Sequence, residues 1–278
     1  MVSALVAVLL SNRDLIDPHV FAPGEISTNE FESHPEFTLD GKTLYFVKSD
    51  PQFSDWKVYE SHLSNGHWSK PVFASFSGKY LDADPFITSD GKRFFFISNR
   101  PAPGKSDPSM DIWYMDRVGD HWSEPIHPGT EINSDTDEWF PTVSRDGTLY
   151  FGSSRSGGFG DCDLWTAKPS KSGYEACTNL GSAINTPGPD IEPFITPDGK
   201  TLIFNSIRAG ALGSLDFYVS TRLSSGWSAP FHLPAPINSR AAELSPKLSR
   251  DGKKFFYTGV KKETLGDIYW VSAAAIGV

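Results

Sequence analysis

Only two cysteines, Cys162 and Cys177, and three methionines occur in 278 residues. Two cysteines cannot staple a fold of this length, so stability has to come from a packed core. No segment is long enough to cross a bilayer as an apolar helix. The apolar run Val2–Leu10 has the length of a signal-peptide core, but no Lys or Arg precedes it and no obvious small-residue cleavage site follows. Residues 1–16 therefore read either as a cropped or atypical export signal or as a disordered apolar tail. Export would place the protein in the periplasm or outside the cell. Positive charge is scarce too: 25 Lys and Arg against 34 Asp and Glu give a net charge of -9. That balance excludes nucleic acid as a partner, since phosphate binding needs clustered cations. A metal ion, a cationic ligand or a basic protein surface fits it better.

Long helical periodicity is missing as well. What is present instead is 24 Gly, 21 Pro and 13% aromatic residues, arranged as short runs of Phe, Tyr, Val, Ile and Thr between Gly, Asp, Asn and Pro. Those are strands and turns. One line is written five times: "ESHPEFTLDGKTLYF", "DADPFITSDGKRFFF", "DEWFPTVSRDGTLYF", "DIEPFITPDGKTLIF" and "AELSPKLSRDGKKFFY". The prolines are Pro35, Pro85, Pro141, Pro193 and Pro246, each five residues ahead of an Asp-Gly pair. A third strand follows in every unit ("KVYES", "DIWYM", "DLWTA", "DFYVS", "DIYWV"), and a fourth in all but the last ("HWSKP", "HWSEP", "GYEAC", "GWSAP"). Four strands at a period of about 50 residues make a propeller blade. The missing fourth strand lies at the other end of the chain, where Asp17–Thr28 ("DPHVFAPGEIST") matches Ser123–Ser134 ("SEPIHPGTEINS"). The expectation is an all-β, five-bladed β-propeller over residues 17–278. Its last blade is closed by the N-terminal strand, with Val20 and Phe21 against Ile268–Val271.

On these residues, with "EINSDTDEWFPTVSRDGTLYFGSSRSGGFGDCDLW" the most telling, the chain resembles the WD40-like propeller repeats of the TolB type found in bacterial envelope proteins. The resemblance covers residues 18–278 and departs from the pattern at Lys57, Tyr174 and Glu175. It implies a monomeric binding module for a protein, a small molecule or a carbohydrate. The same family includes peptidase propellers and a few lyases, and no hydrolase domain accompanies this chain.

Three residues before each proline stands an acid: Glu32, Asp82, Glu138, Asp190 and Glu243. Fivefold repetition turns that column into a ring at one rim of the channel. Arg100, Arg155, Arg208 and Lys261 end the second strands at the same rim and are placed to neutralise it. One reading is structural, with carboxylates holding backbone N–H groups and arginines. The other starts from the excess: Asp84, Glu192 and Asp50 add to the ring, and His34 stands among the least compensated acids. Glu32, Asp82 and Asp84 then become candidate ligands of a cation such as Ca²⁺. If the protein is a propeller hydrolase or lyase, Glu32, Asp82, Asp190 and Glu192 are the candidate acids and bases, with or without a divalent metal. A scaffold without a small-molecule site is the third possibility. No zinc spacing, EF-hand loop, phosphate-cradling loop or G-x-S-x-G elbow occurs. Cys162 and Cys177 flank a hairpin around Pro169–Gly173. A turn centred near residue 169.5 sets them opposite each other, as a disulfide in an exported protein or as two buried thiols in the cytosol.

Overall fold

A computed structural model describes residues 17–50, 52, 54–105, 109–260 and 265–277. Residues 1–16 and Lys261 lie outside that set, and so do the expectations about them. The repeat becomes five antiparallel blades arranged as a five-bladed propeller. Their innermost strands are Phe31–Phe37, Asp82–Ile87, Glu138–Val143, Asp190–Ile195 and Ala242–Leu248. Second strands such as Arg93–Ser98 read as unbroken apolar runs because both faces of a blade are covered by its neighbours. Phe46, Phe96, Phe151, Phe204 and Phe255 are fully buried there. Asp-Gly makes the turn into each of these strands. In the first, Asp40 accepts from the Thr38 hydroxyl and the Lys42 N–H, and Gly41 sits at φ +66°, where a side chain would be strained. Among the described residues no helix is long and apolar enough to cross a membrane.

The ring closes as expected. His19 and Val20 pair with Trp270 and Tyr269, and the Phe21 N–H donates to the Ile268 carbonyl at 2.8 Å. Phe21 then packs edge-on against Phe37 and Phe256. The crossover loops are pinned by one device. Asn133, Asn185 and Asn238 each bond both the N–H and the C=O of the preceding blade's third strand, at Ile112, Leu164 and Phe217. A buried amide with both ends satisfied fixes a loop as firmly as a ladder pair.

The cysteines are not opposite each other. Pro169 faces Tyr174 in the hairpin and Thr166 faces Thr178, so the turn is centred further along the chain than expected. That places Cys177 across from the far end of the strand that Cys162 precedes. Both thiols are free.

Candidate active site at the channel mouth

Side chains on an innermost strand alternate between the two faces of its blade, while the free backbone edge faces the channel. Proline is tolerated there because an edge strand has no partner for the missing N–H. Around each proline the pairing slips by one residue: between Ser33 and Glu36, Ala83 and Phe86, Trp139 and Thr142, Ile191 and Phe194, and Leu244 and Lys247. These are β-bulges, and a bulge re-aims a side chain. The bulged residues are His34, Asp84, Phe140, Glu192 and Ser245, all at φ between 51° and 60°. All five, with their prolines, line a cavity of about 40 Å³, joined by Thr142, Phe194 and Lys247 from one position past the proline. A space of that size holds a water molecule or two but no sugar ring.

The ring of acids expected at the rim is therefore elsewhere. Glu32, Asp82, Glu138, Asp190 and Glu243 are buried, at 0 to 2% exposure. They precede the bulge and face into the blade, where all but Asp82 hold the incoming crossover loop. Glu32 accepts from the N–H and hydroxyl of Thr28, Glu138 from Ser134, Asp190 from Thr186 and Glu243 from Ser239. Arg100, Arg155 and Arg208 pair with Asp82, Glu138 and Asp190 at 2.8, 2.9 and 2.6 Å. Burial pushes the Glu32, Glu138 and Glu243 carboxyls up. In the first blade the cation is Lys48, 3.5 Å from Glu32, while Asp50 caps its own loop by accepting from the Ser54 and Asp55 N–H groups. Glu32, Asp82 and Asp84 thus do not converge on a shared cation. Among the described residues no group of three His, Cys, Asp or Glu side chains is arranged to hold a metal.

Three of the expected residues do meet. His34 Nε2 lies 3.2 Å from Asp84 Oδ1 and 3.6 Å from Glu192 Oε1, so blades one, two and four converge on one atom. The remaining carboxylate oxygens are fixed by the next blade's bulge. The Phe140 N–H donates to Asp84 at 2.9 Å, and the Ser245 N–H donates to Glu192. His34 is oriented by Ser33 Oγ at 2.9 Å from Nδ1 and by the Phe140 ring, stacked 5.8 Å away. Burial pushes Asp84 up to about 6, against the pull of His34. Burial also opposes charge on His34, but Asp84 and Glu192 outweigh it and hold its pKa above the ordinary value. Deeper in, Lys247 sits 4.4 Å over the Phe86 ring and pairs with Glu36. Burial drives its pKa down. Arg250 bonds Glu36 and the carbonyls of Phe37 and Ile87, tying blade five to blades one and two. Phe140, Ser245, Lys247 and Glu36 were not singled out in the sequence; the columns on either side of the proline carried the signal.

No family model and no curated protein matches the chain. Solved structures do. One described as a glycoside hydrolase aligns with a TM-score of 0.59 and 11% identity over 96% of this chain and 95% of its own length. An alpha-L-arabinofuranosidase from Lactobacillus brevis gives 0.55 and 12% over 90% and 92%. The catalytic domain of a GH62 alpha-L-arabinofuranosidase from Coprinopsis cinerea gives 0.53 and 13% over 93% and 94%. The likeness is one of fold.

Proposed function

We propose that the protein is a propeller glycoside hydrolase whose acid and base are Asp84 and Glu192. The observation that carries this reading is their convergence on His34 at the channel mouth. Their facing oxygens are at most about 7 Å apart, since both touch one nitrogen, which meets the lower end of the roughly 6.5 to 9.5 Å that an acid and a base with a water between them need. Asp84, pushed up to about 6, suits a proton donor near neutral pH. As the glycosidic C–O bond breaks, Asp84 gives its proton to the leaving oxygen and Glu192 takes one from the attacking water. His34 holds the two carboxylates in register. The small cavity suits the water, so the sugar docks above it, end-on at the mouth. Propellers of similar fold that are arabinofuranosidases agree with this reading without carrying it.

The resemblance to TolB-type repeats supports a second reading, a binding module of the envelope, and one observation favours it. A cavity of about 40 Å³ flanked by two carboxylates accepts the tip of a cationic side chain more readily than any ring. Export to the periplasm or beyond belongs to both readings. Release of nitrophenol from a panel of aryl glycosides, arabinofuranoside and galactoside included, separates them. Turnover that disappears in Asp84→Asn and Glu192→Gln supports the hydrolase. A folded protein that turns over none of the panel overturns it.

A further inference from the structure

Blades two, three and four share a polar lock, and the first blade has none of its polar parts. In blades two, three and four an arginine ends the second strand and lies over the aromatic ring of the third. Arg100 is 5.5 Å from the Trp113 ring, Arg155 5.4 Å from Trp165 and Arg208 4.9 Å from Tyr218. The Asp that opens the third strand is tied to the outer strand, by His127 to Asp111, Asn179 to Asp163 and His232 to Asp216. In blade one the arginine is replaced by Asp50, the Asp by Lys57 and the outer-strand His or Asn by Phe73. Three changes at one place in the repeat remove both ties.

What opens is a cleft of about 650 Å³ lined by Lys48, Asp50, Lys57, Tyr59 and Phe73. Tyr59 is half-buried, whereas Trp113, Trp165, Tyr218 and Tyr269 at its position are 3 to 7% exposed. Phe73, 52% exposed, meets Tyr59 at 4.7 Å and extends that wall. The charges in the cleft are largely spent on each other: Lys48 pairs with Glu30, and Lys57 with Asp55. An aromatic wall beside paired donors and acceptors with little unspent charge fits the apolar face and hydroxyls of a neutral sugar. The cleft and the cavity flank one strand: Glu32, which Lys48 touches, is two residues from His34.

We propose that this cleft is a second glycan-binding subsite, which seats the neutral oligosaccharide whose end is presented at the mouth. The inference rests on the hydrolase reading for its choice of ligand, but its test does not depend on turnover. Binding of neutral hexasaccharides derived from arabinan, xylan, galactan and cellulose is measured by calorimetry on the Asp84→Asn protein, with and without Phe73→Ala. At least one is expected to bind, with a loss of ten-fold or more on Phe73→Ala and recovery with Phe73→Trp. Phe231→Ala, which removes a still more exposed ring from blade four, should change nothing. No binding by any hexasaccharide, or binding that survives Phe73→Ala, overturns the proposal. Turnover by the parent together with either result leaves the hydrolase standing and removes the subsite alone.

Discussion

Replacing His34 by Gln removes the one imidazole shared by Asp84 and Glu192, and the cost should change with pH. His34 has its pKa raised, so its contribution is complete below the ordinary value of 6.5 and is lost as pH climbs through the raised folded value. Asp84 also has a raised pKa, about 6 against 3.8, so its ionisation in the folded state costs stability from about pH 4 upward. At pH 7.5 the variant must bury two carboxylates, each side chain only 4% exposed, with no imidazole between them. Stripping one partner from a buried pair costs about 3–5 kcal/mol. The lower end applies here because Asp84 can take up a proton instead. At about 2–4 °C per kcal/mol for a domain near this size, the melting temperature should fall by roughly 6–12 °C. At pH 5 Asp84 is largely protonated and Glu192 is the partner that His34 leaves behind, so the losses at the two pH values should differ. Differential scanning calorimetry of parent and variant at both pH values measures it. Equal losses at the two pH values would refute the electrostatic account and leave His34 as a packing residue.

Deleting residues 1–28 removes the strand that closes the last blade, along with buried Ile26 and the Phe21 contacts. The loss should be at least about 5 kcal/mol, and a truncated chain that melts like the parent contradicts the closure. Asn238→Ala strips both hydrogen bonds from the Phe217 backbone and should cost about 2–4 kcal/mol in chemical denaturation. Both thiols should titrate in denatured, unreduced protein. In the folded state Cys162, pushed up to about 12 by burial, should react far more slowly with a disulfide reagent than an ordinary thiol.

The blade count, the closure and the Asp-Gly turns were legible because they depend on repeat and turn chemistry. The channel lining was only half legible. Counting from the acids to the prolines placed Glu32 and its four counterparts on the axis, but the count ignored the extra residue in each strand. The prolines themselves marked the bulge. Their neighbours His34, Asp84 and Glu192 reach the cavity because of it, and Phe140 and Ser245 follow by repetition. The compensation of Glu32 by Lys48 could not be read from the column that holds Arg100, Arg155 and Arg208, since Lys48 comes from two residues earlier. The cysteine pairing failed on the position of a single turn.

The central claim is that Asp84 and Glu192 at the channel mouth do the chemistry while the repeated acids only hold the fold. The most direct measurement is kcat/KM on the best aryl glycoside for the parent, Asp84→Asn, Glu192→Gln and Glu138→Gln, each corrected for folded fraction. The account predicts a loss of about 10²–10⁴-fold for the first two variants and a value near the parent's for Glu138→Gln, whose deficit should appear in its melting temperature. Parental turnover in Asp84→Asn and Glu192→Gln, or a loss in Glu138→Gln as large as theirs, would contradict it.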